Sequence, residues 1–175
     1  QGADFAVRVS VPSITTHAGF IPENLTDPLY PPLIAALRDA GAYCADRGIS
    51  LWFETGQETP VVLLRVLEDV GLDNLGVNLD PANLLMYGKA NPVDALDLLG
   101  KYIRGVHAKD GEYPTAGRVL GVEKPLGEGR VNFPVLIAKL KALGYSGALT
   151  IEREITGPQQ IRDIQHAIAF LSKLI

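Results

Sequence analysis

The 175-residue chain has little of what would place it in several large protein classes. A single cysteine, Cys44, permits no internal disulfide and no thiolate metal cluster, a usage that suits a reducing compartment, so a cytoplasmic location is expected. There is no excess of positive charge: sixteen Lys and Arg against twenty Asp and Glu leave a net charge of −4. That is a weak footprint for neutralising phosphates, and nucleic acid is not an expected partner. No apolar run approaches the roughly 20 residues of a membrane span, so no membrane partner is expected either. Gly and Pro are scattered, and no repeat or low-complexity stretch interrupts the chain. What remains, with 47% hydrophobic and 21% charged residues, is the composition of one ordinary globular domain, residues 1–175. Gln1 opens on neither a basic n-region nor an apolar core, so no signal peptide is expected and the start reads as a trimmed or partial chain.

Five short segments combine β-branched or aromatic residues with an abrupt polar end: Ser13–His17, Ser50–Glu54, Leu75–Asp80, Ile103–His107 and Ala148–Glu152. They predict strands. Helical spacing of apolar residues lies between them. Over Pro32–Arg47, Leu33, Leu37, Ala40 and Cys44 share a face. Thr59-Pro60 and Asn91-Pro92 are start signals, an N-cap followed by proline at the first helical position, the former helix stopping at Gly71 and the latter running through Val93–Tyr102. Asn132 precedes a helix over Val135–Leu143, and a last helix carries Ile161, Ile164, Ile168 and Leu171. Alternation of strand and helix predicts a parallel sheet of right-handed βαβ units. The connections Ala18–Pro31 and Ala108–Val131 are longer than a crossover needs, and such loops tend to carry function.

Parity within the strands adds more. Trp52 shares a face with Glu54, Gly76 and Asn78 with Asp80, Gly105 with His107, and Thr150 with Glu152. The other face, with Ile14, Leu51, Phe53, Leu75, Val77, Leu79, Val106, Leu149 and Ile151, is apolar throughout. A doubly wound sheet is covered by helices on both faces and reads as continuous apolar runs. One mixed, polar face fits the interior of a (β/α)8 barrel, whose chemistry sits at the C-terminal ends of the strands. A complete barrel needs about 250 residues. The fold expected is therefore a partial TIM barrel of five βα units.

Glu54, Asp80, His107 and Glu152 all end strands with inward parity. Three carboxylates and one imidazole form a hard, oxygen-rich donor set, suited to a divalent ion such as Mn²⁺, Mg²⁺ or Co²⁺, with Zn²⁺ also possible. His17 ends the first strand with the same parity, and Lys109 shares that of His107 if its strand continues.

The segments Thr16-His17-Ala18-Gly19-Phe20-Ile21-Pro22, Phe53-Glu54-Thr55-Gly56-Gln57-Glu58, Asn78-Leu79-Asp80-Pro81-Ala82-Asn83-Leu84, Val106-His107-Ala108-Lys109-Asp110 and Pro125-Leu126-Gly127-Glu128-Gly129 resemble, in order, the xylose isomerase-like superfamily of sugar phosphate isomerases and epimerases. The resemblance spans the chain as strands four to eight of the family's barrel. It implies that Glu54, Asp80, His107 and Glu152 are the metal ligands and that the two glutamates are the acid and base. It also implies a sugar, sugar phosphate or polyol as substrate. A divalent ion on a carbonyl and its neighbouring hydroxyl stabilises the enediolate left when a proton departs the carbon between them, and Glu54 and Glu152 would move that proton. His17, Asn83 and Lys109 are the expected substrate contacts. Asn83 stands where several relatives carry a histidine, and Glu123 and Lys124 stand where endonuclease IV-like phosphodiesterases carry an Asp-Arg-His pattern. That phosphodiesterase, an inosose-type dehydratase and a noncatalytic barrel fragment that assembles with another chain are the alternatives. A homo-oligomer, or a missing N-terminal segment, is expected to complete the barrel.

Overall fold

The computed structural model describes residues 1–175. Five strands, β1 (Ser13–Thr16), β2 (Ser50–Glu54), β3 (Leu75–Leu79), β4 (Ile103–Ala108) and β7 (Leu149–Ile151), pair in parallel in the order β1-β2-β3-β4-β7. They curl into part of a TIM barrel, as the alternation of elements requires. A two-stranded antiparallel ribbon, β5 (Asp110–Gly111) with β6 (Glu123–Lys124), emerges from the long connection after β4. Strands of two residues carry no periodicity, and the sequence gives no sign of this ribbon.

The helices are α1 (Gly2–Arg8), α2 (Tyr30–Ala45), α3 (Pro60–Val70), α4 (Pro81–Met86), α5 (Pro92–Leu99), α6 (Phe133–Ala142) and α7 (Pro158–Leu171). Three of the starts follow the expected local chemistry: Thr59 Oγ1 accepts from Val62 N at 3.3 Å, Asn91 Oδ1 from Val93 N at 2.9 Å and Asn132 Oδ1 from Val135 N at 3.3 Å. Gly71 ends α3 with φ +66, a left-handed conformation that glycine adopts without strain. A 3-10 turn, Gly100–Tyr102, replaces the last part of the helix expected to run to Tyr102.

The core, a cluster of 32 buried residues, lies between the helices and the outer face of the sheet. Phe53, Val77 and Leu79, all on the face expected to be apolar, have no solvent exposure. Two helix faces differ from expectation. On α2 the fully buried positions are Tyr30, Ile34, Gly41 and Cys44, while Leu33 and Leu37 are half-buried and Ala40 is exposed. Gly41 is the reason: a Cβ there would lie 2.8 Å from Leu72 Cδ1, so the helix rotates its bare position into the closest approach. On α7 Asp163, Ala167 and Leu171 are buried, whereas Ile161 and Ile168 are 60% and 54% exposed. Of the expected stripe of α7, Leu171 joins the core and Ile164 is half-buried, while Ile161 and Ile168 face away from this sheet.

The inner face is built around Trp52, which is half-buried. A Cβ at Gly76 would lie 2.8 Å from Trp52 Cδ1, and one at Gly105 would lie 3.4 Å from Trp52 Cζ3. The indole thus spreads over two neighbouring strands that carry no side chain there, and closes the floor beneath the polar strand ends.

Candidate metal centre

Each of the four expected ligands is delivered by a strand end. Glu54 is the last residue of β2, His107 lies in β4, and Glu152 follows β7 directly, its N–H donating to Ala108 O at 3.3 Å. Asp80 follows β3 and is also the N-cap of α4, its Oδ1 accepting from Asn83 N at 2.9 Å. The cap fixes one oxygen and turns the other, Oδ2, toward the barrel axis. Thr55 holds the same backbone from the next strand: Thr55 Oγ1 donates to Asp80 O and accepts from Asp80 N, both at 2.8 Å.

The four side chains converge. One donor atom from each lies within 4.8 Å of all the others. His107 Nδ1 is 3.2 Å from Glu54 Oε1, 3.2 Å from Glu152 Oε2 and 3.8 Å from Asp80 Oδ2. Yet His107 Nδ1 and Asp80 Oδ2 are buried without the alignment that a hydrogen bond needs. Buried polar atoms are ordinarily paired. A donor set of three carboxylates and an imidazole, with two of its atoms orphaned and facing a common point, fits a divalent cation.

Electrostatics agree. Burial works against a charge on His107, but Asp80, Glu152 and Glu54 outweigh it and push its pKa up to about 11. Beside that imidazole, and with Lys109 adding its charge, Glu152 is held down to about 2 despite partial burial. Burial raises Asp80, against the pull of His107 and Lys109. The carboxylates demand a cation among them, and a protonated His107 supplies one positive charge where a metal ion would supply two.

The remaining expected site residues fall around this centre. His17, just beyond β1, is largely open to solvent, with Nε2 3.9 Å from Glu54 Oε1. Asn83 is buried on α4, and its Nδ2 donates to Thr55 O at 3.2 Å. Lys109 is 2% exposed, with Nζ directed at carboxylates. Two groups at the site carried no assigned role in the sequence. Glu154 contacts Lys109 Nζ at 2.6 Å, and its parity with Glu152 was the available signal. Asp110 accepts from four backbone amides, Gly111, Gly127, Gly129 and Val131, at 2.8–3.1 Å. It is the anchor of the glycine-bracketed turn, and a side chain at Gly129 would collide with its carboxylate.

Known proteins are similar to this chain in sequence or in fold. An uncharacterised protein of Methanocaldococcus jannaschii is 28% identical over 152 residues, which is 81% of this chain and 50% of that protein. The crystal structure of a xylose isomerase domain protein from Planctomyces limnophilus superposes with a TM-score of 0.91 at 38% identity, over 98% of this chain and 61% of that one. A D-psicose 3-epimerase from Clostridium cellulolyticum H10, solved with D-tagatose, shares the fold at 16% identity and a TM-score of 0.74, over 98% of this chain and 67% of its own. The chain thus spans between half and about two thirds of the length of these relatives. Residues 1–174 match the family of xylose isomerase-like TIM barrels, and the chain belongs to that family.

Proposed function

We propose that the protein is a metal-dependent isomerase or epimerase of a sugar, sugar phosphate or related polyol. The observation that carries this reading is the convergence of Glu54, Asp80, His107 and Glu152 at the mouth of the barrel, with Asp80 Oδ2 and His107 Nδ1 buried and unpaired. These four would hold one divalent ion, of which Mn²⁺, Mg²⁺ and Co²⁺ suit the oxygen-rich set and Zn²⁺ is possible. When bound, the ion would polarise a substrate carbonyl and its neighbouring hydroxyl as a Lewis acid.

The chain's own residues would handle the proton. Glu54 and Glu152 stand on strands separated by β3 and β4, and so reach the centre from opposite flanks. Each directs one oxygen at His107 and retains another. One glutamate would take the proton from the carbon beside the carbonyl. The other would return it to the opposite face for epimerisation, or to the neighbouring carbon for isomerisation. His17, at the open rim beside Glu54, is placed to meet a substrate hydroxyl. The D-psicose 3-epimerase in the same fold supports the reaction class, not the particular sugar.

The test is a screen of ketoses, aldoses and their phosphates in deuterated water with Mn²⁺ supplied, reading deuterium at the substrate carbon. Exchange that requires both the metal and Glu152 is expected. Exchange independent of either would contradict the assignment.

A further inference from the structure

Lys109 follows His107 by two residues, so the two side chains leave the chain on the same side. At 2% exposure it is nearly sealed from solvent, a condition an ammonium tolerates only when paired. Its Nζ lies 3.7 Å from Asp80 Oδ2, 3.3 Å from Glu152 Oε2 and 2.6 Å from Glu154 Oε2. The first two oxygens are the ones that also face His107 Nδ1. Lys109 therefore donates to Glu152 Oε2 at 3.3 Å and stands beside Asp80 Oδ2 without hydrogen-bonding it, while Glu152 Oε1 accepts no hydrogen bond.

Lys109 is itself held in place. Glu154 N donates to both oxygens of Glu123 at 3.1 Å, and Arg153 joins Glu123 at 3.0 Å to Asp163 at 2.8 Å. This network ties the segment after β7 to both β6 and α7, and it fixes the carboxylate that grips Nζ from outside.

We propose that Lys109 is a positioning residue that hydrogen-bonds Glu152 Oε2 and so limits Glu152 to one ligating oxygen, leaving Oε1 for proton exchange with the substrate. A carboxylate that chelated a cation with both oxygens would serve as a ligand and nothing more. Turning Oε1 toward the cation means rotating the carboxylate, and the ammonium on Oε2 resists that rotation. This deepens the proposed function and rests on its reading of the cluster as a metal centre.

Titration of Co²⁺ into the purified protein tests it without a substrate. Wild type is expected to bind one Co²⁺ per chain. Lys109→Met is expected to bind it roughly tenfold more tightly, because a neighbouring positive charge is gone. Its visible absorption should weaken as Glu152 chelates through both oxygens and the coordination number rises. Lys109→Arg should restore the wild-type spectrum. Should Lys109→Met fail to fold by circular dichroism, Glu154→Gln decides at an exposed position. There Lys109 keeps only Asp80 and Glu152 as counterions and competes harder, so Co²⁺ affinity should fall several-fold with the spectrum unchanged. A wild-type spectrum with unchanged or weaker binding in Lys109→Met, or unchanged affinity in Glu154→Gln, would overturn the proposal. Wild type that binds no Co²⁺ overturns the metal reading instead, a distinguishable result.

Discussion

His107 is surrounded by Glu54, Asp80 and Glu152, and their carboxylates lift its pKa to about 11 against the effect of burial. Without a metal the imidazole is therefore charged at neutral pH, and a divalent ion must displace its proton. Metal affinity should rise with pH, by about tenfold per unit between pH 6 and 8, because each unit lowers the competing proton concentration tenfold while the group remains protonated. Isothermal titration at several pH values measures the slope, and a flat profile would show that His107 releases no proton on binding. Glu152→Gln should reduce turnover by about 10²–10⁴-fold, the usual contribution of a proton-transferring group, with substrate binding retained. Solvent deuterium exchange in that variant provides the check: exchange at the wild-type rate would make Glu152 a ligand only. That Glu54, Asp80, His107 and Glu152 come together was legible from parity and strand ends, since alternation along a strand assigns each side chain to a face before any tertiary contact is known. The partners of Lys109 were not, because Glu152 and Glu154 lie 43 and 45 residues away along the chain.

The turn after β6 shows how one buried carboxylate can organise an element. Asp110 accepts four backbone amides, and three of them, from Gly127, Gly129 and Val131, belong to the segment that leads into α6. Asp110→Ala leaves those donors without the carboxylate, and of the three only the Val131 amide is fully buried, where an unsatisfied group costs about 1–3 kcal/mol. The melting temperature should drop by several degrees, given about 2–4 °C per kcal/mol for a chain of this size. An unchanged melt would mean that water replaces the carboxylate at no loss. At this scale, helix starts were readable because Thr59, Asn91 and Asn132 act on amides two or three residues away. Helix faces were less so. Periodicity marks an apolar stripe without saying what covers it, and on α7 Leu171 of the expected stripe is in the core while Ile161 and Ile168 lie open. The short helix α1 escaped notice because only Ala3 and Ala6 of its seven residues are buried.

Across the molecule, β1 and β7 stand at the two ends of the sheet, each with one side unpaired. Phe5, Val7, Val9 and Val11 beside β1, and Ile161 and Ile168 on α7, are all at least 42% exposed. Unpaired edges flanked by apolar surface invite association. We therefore propose that the chain is stable in company, as a homodimer or with further strands that complete the barrel. Light scattering at low micromolar concentration should give a mass above 18.8 kDa; a monomer with a cooperative melt would contradict this. Independently of how the barrel is completed, the account stands on one divalent ion held by Glu54, Asp80, His107 and Glu152. The most direct measurement is metal content by elemental analysis after Mn²⁺ loading and desalting, on the wild type and on Asp80→Ala and His107→Ala. The expected result is one ion per chain in the wild type and near none in either variant. Wild-type protein that retains no metal, or variants that retain as much as the wild type, would contradict the assignment.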